Sequence, residues 1–305
     1  MAQRRLVAAA AFAAFCAGCH VLPRGVEARA ADGRLLHAAE PAEPARSRLE
    51  TDLAAARAEL AAKPDDRDAT VWVARRLGYL GRYREAVAVL SDALDVHRDD
   101  PFLLRHRGHR WITLREFGKA AWDLERAALV CRNTPDVVEP DGQPTPGRAP
   151  HGTLHFNVHY HLGLALFLAG DFEFAERAWL HCLAVVRNDE ARVAVTHWLW
   201  CVRMRLRDPA GAAAVVASVR DDMDVVENTS YHQLCLLYAG KRTRAQLVPQ
   251  AGSAGSAMAF GLAHHRLVTG DRQQAYRELE ELAHAAAWSA FGVLAAEVEV
   301  ARFRH

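Results

Sequence analysis

One pattern recurs along this chain. Gly81-Arg-Tyr83-Arg-Glu-Ala86 leads into an apolar run through Leu90 to Ala93, Phe117-Gly-Lys-Ala120 into one through Leu124 to Ala127, and Gly170-Asp-Phe172-Glu-Phe-Ala175 repeats the opening. Ala86 and Ala120 stand 34 residues apart. A unit of that length makes one helix pair, which cannot bury its apolar face alone and has to stack on its neighbours. The recurrence therefore predicts an elongated all-α array of antiparallel helix pairs. An extended concave surface follows from such stacking, and it makes binding the leading function. With 51% hydrophobic and 25% charged residues the chain can bury a core. Its formal net charge of +1 gives no global field for recruiting nucleic acid, and no nucleic-acid-binding signature is present.

The repeats align in detail. Repeat 1, from Arg67 to Asp100, has a first helix with Trp72, Ala74 and Leu77, a turn at Gly81, and a second helix with Ala86, Leu90 and Ala93. Small residues at Ala74 and Ala86 let two helices approach closely. Repeat 2 begins at Pro101, a first-turn proline with no donor to lose. It places Gly108 where repeat 1 has Ala74, Phe117 where it has Tyr83, and Arg115 at the turn where glycine is expected. Repeat 3 uses Leu162-Gly163, Gly170, Phe172 and Ala175. On these residues the chain resembles the tetratricopeptide repeat family. The resemblance is specific over 67–134 and 156–187 and weaker across 188–287, and it implies a right-handed superhelical solenoid. A helix from Ser47 to about Lys63 is expected to precede repeat 1. A capping helix over 288–303 is expected to follow, with Glu297, Glu299 and Arg302 on a solvated face. Between repeats 2 and 3 an insertion over 135–155 carries Pro135, Pro140, Pro144, Pro146 and Pro150 and cannot be helical. Two readings are open for it: a tolerated surface insertion, or a lid folded over the groove.

The N-terminus has its own logic. Arg4 and Arg5 precede an apolar run from Leu6 to Phe15, too short to span a bilayer as a helix but suited to a secretory signal. Ala17-Gly18-Cys19 follows and resembles a bacterial lipobox, with Cys16 standing where that pattern usually has Leu. The resemblance implies a signal peptide over 1–18, Cys19 as the lipidated residue, a tether over 19–46, and an exported, membrane-anchored lipoprotein facing the periplasm or cell exterior. Cys131, Cys182, Cys201 and Cys235 show no CxxC spacing and are expected as small buried apolar residues.

The first helix of each pair lines the inner face of such a solenoid. Family groove positions fall here on Asp68, Phe102 and Asn157; on Val71, Arg105 and Tyr160; on Trp72, His106 and His161; and on Arg75, His109 and Leu164. Aromatic residues and arginines are typical binding anchors. The expected binding residues are therefore Trp72, Arg75, Arg105, His106, His109, Asn157, Tyr160 and His161. Trp72 has a second reading, packing against the preceding helix. The Lys/Asn/Arg clamp by which some family members grip a C-terminal carboxylate is missing, so that function is not implied.

Half of the 16 histidines fall between His106 and His197. His106, His109 and His161 are weak candidates for metal ligands, with Glu139 or Asp141 of the insertion as an acid to join them. No GxSxG, HExxH, Walker or GxGxxG motif occurs, no cofactor is implied, and a binding protein is expected ahead of an enzyme. The leading expectation is a groove that binds another protein or a peptide. The alternative is a small-ligand or metal site, possibly enzymatic, formed by groove histidines under the 135–155 loop.

Overall fold

The computed structural model describes residues 22–38, 41–142 and 145–304. The fold is an all-α, tetratricopeptide-like solenoid of antiparallel helix pairs. A leading helix α1 (Ala45–Ala62) packs on the first pair, α2 (Arg67–Tyr79) and α3 (Tyr83–Val96). The next pairs are α4 (Pro101–Thr113) with α5 (Phe117–Cys131), and α6 (Leu154–Ala169) with α7 (Phe172–Ala184). Then come α8 (Asp189–Arg205) with α9 (Pro209–Val216), a single helix α10 (Thr229–Tyr238), the pair α11 (Gly252–Thr269) and α12 (Arg272–Ala283), and α13 (Phe291–Phe303).

Local chemistry sets these boundaries. Asp66, Asp100, Thr153, Asn188 and Asp208 each accept from a backbone N–H of the first turn that follows, satisfying a donor the helix itself leaves free. Ala86, Ala120 and Ala175 are fully buried at the pair crossings. Gly163 is required by packing: a Cβ there would come within 2.4 Å of the Trp179 ring. Gly81 and Gly170 turn their pairs at positive φ, and in repeat 2 Arg115 takes the same left-handed conformation at φ 65°. Among the described residues Cys131, Cys182, Cys201 and Cys235 are buried free thiols.

Two features depart from the sequence reading, and a third bears on alternatives it left open. Within the segment read as a flexible tether, Val26–Arg29 (β1) and Leu35–His37 (β2) form an antiparallel hairpin. Ala28, Ala30 and Leu36 pack with Val87, Leu114 and Trp288, so the hairpin is held by apolar burial against the first two helix pairs and the segment before α13. The Trp288 indole donates to His37 O at 2.7 Å, and Arg34 donates to Ala283 O at 2.9 Å.

The C-terminal helix is the second departure. The expectation of a solvated cap with Glu297 and Glu299 outward is overturned, because α13 does not continue the stack into solvent. It folds back against α11, α12 and α6, and every residue from Gly292 to Val300 is buried. Its Phe291 ring meets His109 of α4 and His161 of α6, at centroid distances of 5.4 and 5.9 Å. At the other end Arg302 donates to the last carbonyls of α6, Phe167 O and Leu168 O, at 2.8 and 2.9 Å. Glu297 accepts from Ala31 N and pairs with Arg115; Glu299, fully buried, pairs with Arg302 and Arg205. The inner face is therefore filled along part of its length by the chain's own last helix.

The third is the 135–155 insertion, which folds inward. Glu139 N donates to Gly152 O and Leu154 N to Val137 O, closing one antiparallel bridge between Val138 and Thr153. Arg148 pairs with Asp224 in two hydrogen bonds of 2.7 and 2.6 Å, and Thr145 donates to Glu227. Of the two readings the structure has the second: the loop is a strap from the first repeats to the turn before α10.

Candidate functional site

The strap delivers one carboxylate to the inner face. Glu139 is 5% exposed, and its Oε2 lies 3.1 Å from Arg105 Nη2 and accepts from the Asn157 amide. Its Oε1 lies 3.5 Å from His106 Nε2. Arg105 Nη1 donates to His106 Nδ1 at 3.1 Å, which assigns the ring proton to Nε2, the nitrogen facing Glu139. Burial alone would raise the Glu139 carboxyl; the charge of Arg105 and the hydrogen bonds from His106 and Asn157 outweigh it and hold the group well below the usual carboxylate range. Burial, then the charge of Arg105, pushes His106 down to about 3, so its imidazole is neutral. This cluster walls the inner face into two compartments.

On one side lies a trough of about 600 Å³ between α2, α4 and the strap. Val71, Trp72, Phe102, Val138 and Leu154 supply apolar walls, with Asp68, Arg67 and Arg75 at the edge. The Arg67 guanidinium sits 4.1 Å over the Phe102 ring, and that of Arg75 sits 5.1 Å from the Trp72 ring. Arg75 also donates to Pro140 O at 2.5 Å, so the strap is tied down at the trough's rim.

On the other side lies a chamber of about 430 Å³. Its walls come from α4 and α6 (His109, Phe156, Asn157, Tyr160, His161) and from the first turns of α10, α11 and α13 with the residues before them. The His109 and His161 rings lie 4.4 Å apart. Arg110 donates to His109 Nδ1 at 2.9 Å, and His161 Nδ1 donates to Asn157 O at 2.6 Å. Burial is the main cause that lowers both rings, His109 well below its ordinary value and His161 to about 3. Tyr160 OH accepts from the Trp198 indole at 2.9 Å.

The predicted residues are thus divided. Trp72, Arg75 and His106 line the trough; His109, Asn157, Tyr160 and His161 line the chamber; Arg105 is buried in the wall and committed to Glu139. His106, His109 and His161 do not converge as a chelating set, because Arg105 and Glu139 hold His106 while His109 stacks on His161. Among the described residues no group of three or more His, Cys, Asp or Glu side chains is placed to hold a metal. Glu139, offered by the sequence as an acid reaching in from the loop, does reach in, but toward an arginine. The chamber residues Ser230, Tyr231, Ser253 and Phe291 were missed. They belong to the stretch where the 34-residue pattern fades, and no local signal tells that α13 returns to meet α4.

No protein-family model matches the chain, and no curated protein matches it significantly. Among solved structures it is similar to a tetratricopeptide repeat protein from Parabacteroides merdae, at 13% identity and a TM-score of 0.49, over 84% of this chain and 94% of that one. It is also similar to a chain in the structure of Naa15/Naa10 bound to HypK, at 14% identity and a TM-score of 0.37, over 84% of this chain and 31% of that one.

Proposed function

We propose that the protein is an interaction scaffold whose trough takes an extended peptide segment of a partner protein. The observation that supports this is the pairing of an apolar, aromatic floor with an unfilled backbone edge. Val138 sits in the strap's antiparallel bridge, whose neighbours Val137 and Glu139 bond toward Gly152 and Leu154. Alternation along a strand turns the N–H and C=O of Val138 to the other side, where they have no backbone partner among the described residues. An extended peptide can add to such an edge and place alternate side chains on Trp72 and Phe102. Acting as anchors, such aromatics carry a disproportionate share of binding energy. The groove beyond the wall is unavailable to a long helix because α13 lies there, so the trough is the segment of the inner face open to a partner.

The test is affinity capture with the full chain as bait, comparing Trp72→Ala with Glu125→Ala, an exposed position on α5. Each variant is first checked for an unchanged melting curve. Losing a hot-spot aromatic weakens binding by about 2 kcal/mol or more. Equal partner recovery from both variants would show that the trough is not the interface.

We further propose export and lipid anchoring at Cys19, on the strength of Arg4-Arg5, the short apolar run and Ala17-Gly18-Cys19. These residues lie outside the described ones, and no described helix is long and apolar enough to cross a membrane. Cys19→Ser is expected to release the protein from membranes. Retention of that variant with an unmodified parent Cys19 would refute the anchor.

A further inference from the structure

Two arginines stand where the other helix-pair turns have glycine. One residue in each of these turns takes positive φ: Gly81, Arg115, Gly170, Arg207 and Gly270, at 75, 65, 99, 59 and 126°. In four of the turns the next residue donates back across the turn: Arg82 to Leu77 O, Glu116 to Trp111 O, Asp171 to Leu166 O and Asp208 to Arg203 O. One closure thus recurs with glycine and with arginine. Glycine adopts that conformation freely, whereas a side chain is strained in it. Arg115 spends its guanidinium on Glu297, Trp288 O and Thr113 O. Arg207 is exposed, and its guanidinium has no hydrogen-bond or ion-pair partner among the described residues.

The side chain that Arg207 keeps lines a pocket of about 420 Å³ between the ends of α8 and α11 and the start of α12. Arg205 and Arg272 line it too, with Met204, Leu267 and Val268, and no carboxylate is among the described lining residues. Arg272 is exposed and lies 5.3 Å from the Phe303 ring, with no ion-pair partner among the described residues. Arg205 is half-buried. Its ion partner Glu299, at 3.4 Å, is shared with Arg302 at 2.9 Å. A second, independent observation is that Arg205 Nε is buried without a hydrogen-bond partner. A buried N–H left unbonded is costly, and like charges around one space repel. An anion in the pocket would relieve both.

We propose that this pocket binds the phosphate of a soluble phosphorylated molecule, held between Arg205, Arg207 and Arg272. The planar forks of guanidinium groups match the oxygens of a phosphate in paired hydrogen bonds. Met204, Leu267 and Val268 supply an apolar wall for whatever the phosphate is attached to. The volume falls within the roughly 300–1,000 Å³ of small-molecule clefts. The pocket is built from other elements than the trough, and the proposal does not depend on the peptide reading.

The test titrates inorganic pyrophosphate calorimetrically into the full chain at physiological salt. A second arm measures retention on phosphatidylcholine vesicles with and without phosphatidic acid. Saturable pyrophosphate binding is expected. Arg207→Gly removes the guanidinium and relieves the turn, so it is expected to weaken pyrophosphate at least tenfold with the melting temperature equal or higher. Arg272→Gln is expected to weaken it several-fold. Arg48→Gln, which removes the same charge from an exposed position on α1, is expected to change nothing. Arg207-dependent retention on the phosphatidic acid vesicles without pyrophosphate binding would overturn the soluble source in favour of a lipid headgroup. No saturable binding in either arm, or parental affinity in both Arg207→Gly and Arg272→Gln, would overturn the site.

Discussion

Arg115 and Glu297 stand 182 residues apart and meet at 2.8 Å, their side chains 8% and 5% exposed. Arg115 turns the second helix pair in the left-handed conformation, which costs an ordinary residue about 1–2 kcal/mol. Glycine would remove that strain but also the guanidinium, which donates to Trp288 O at 2.9 Å and Thr113 O at 2.7 Å as well as to Glu297. The side chain is the tie between the repeat array and the helix folded into it.

Arg115→Leu is therefore expected to destabilise the protein by about 3–5 kcal/mol, because it leaves Glu297 buried without its ion partner. Hydrogen exchange should locate the damage. Protection should fall in 26–37 and 291–303 before it falls in 67–131. Uniform loss of protection would refute this tie as a local clasp.

Removing the wall carboxylate should behave in the same way for Arg105. Glu139→Ala is expected to cost about 3–5 kcal/mol in denaturant unfolding, and the double variant with Arg105→Met is expected to recover much of it, since the uncompensated charge is then gone. If the double variant is as unstable as the sum of the two single ones, the wall's contribution is not electrostatic.

Acid should weaken the fold from pH 6.5 downward. His106, His161 and His197 are pushed to about 3 by burial, His106 and His161 also by the charge of Arg105. Their folded values lie below the unfolded value near 6.5, so below that pH the unfolded chain binds protons the folded chain refuses. Stability is present above pH 6.5 and falls toward pH 3 by about 1.4 kcal/mol per pH unit for each such ring. Glu139, held below its unfolded value, adds loss in the same direction below about pH 4.5. Melting temperatures at pH 7.5, 6.5, 5.5 and 4.5 check this. A profile flat down to pH 4.5 would contradict the burial of these rings.

Two close approaches can be overfilled. Ala120→Leu, at a fully buried pair crossing, is expected to cost about 1–3 kcal/mol. Gly292→Ala would bring a Cβ within 2.2 Å of the backbone oxygen of Ser256, which cannot rotate away, so α13 has to shift from α11. Its melting temperature is expected to fall by several degrees, and retention of the parental value would show that α13 is not seated as described.

The sequence by itself determined the repeating helix pairs, because that pattern is local. The alanines and glycines at Ala86, Ala120, Gly108 and Gly163 report close packing between neighbours in the chain, and Pro101 marks a helix start. It also named the inner-face columns, since the 34-residue register puts Trp72, His106 and His161 in line. What tertiary structure alone decided is how those columns are used. Glu297 and Glu299 read as solvent-facing because charge on a helix usually is; their partners Arg115 and Arg205 are remote in the chain, and ion pairs between distant residues leave no periodic trace. The hairpin at 26–37 gains its stability from Trp288 and Leu114, so nothing within its own residues announces it. The chamber exists only because α10, α11 and α13 bring their first turns to the inner faces of α4 and α6. His109 meets His161 because α4 and α6 are neighbours in the array, and it is the 135–155 strap that sets His106 apart with Glu139.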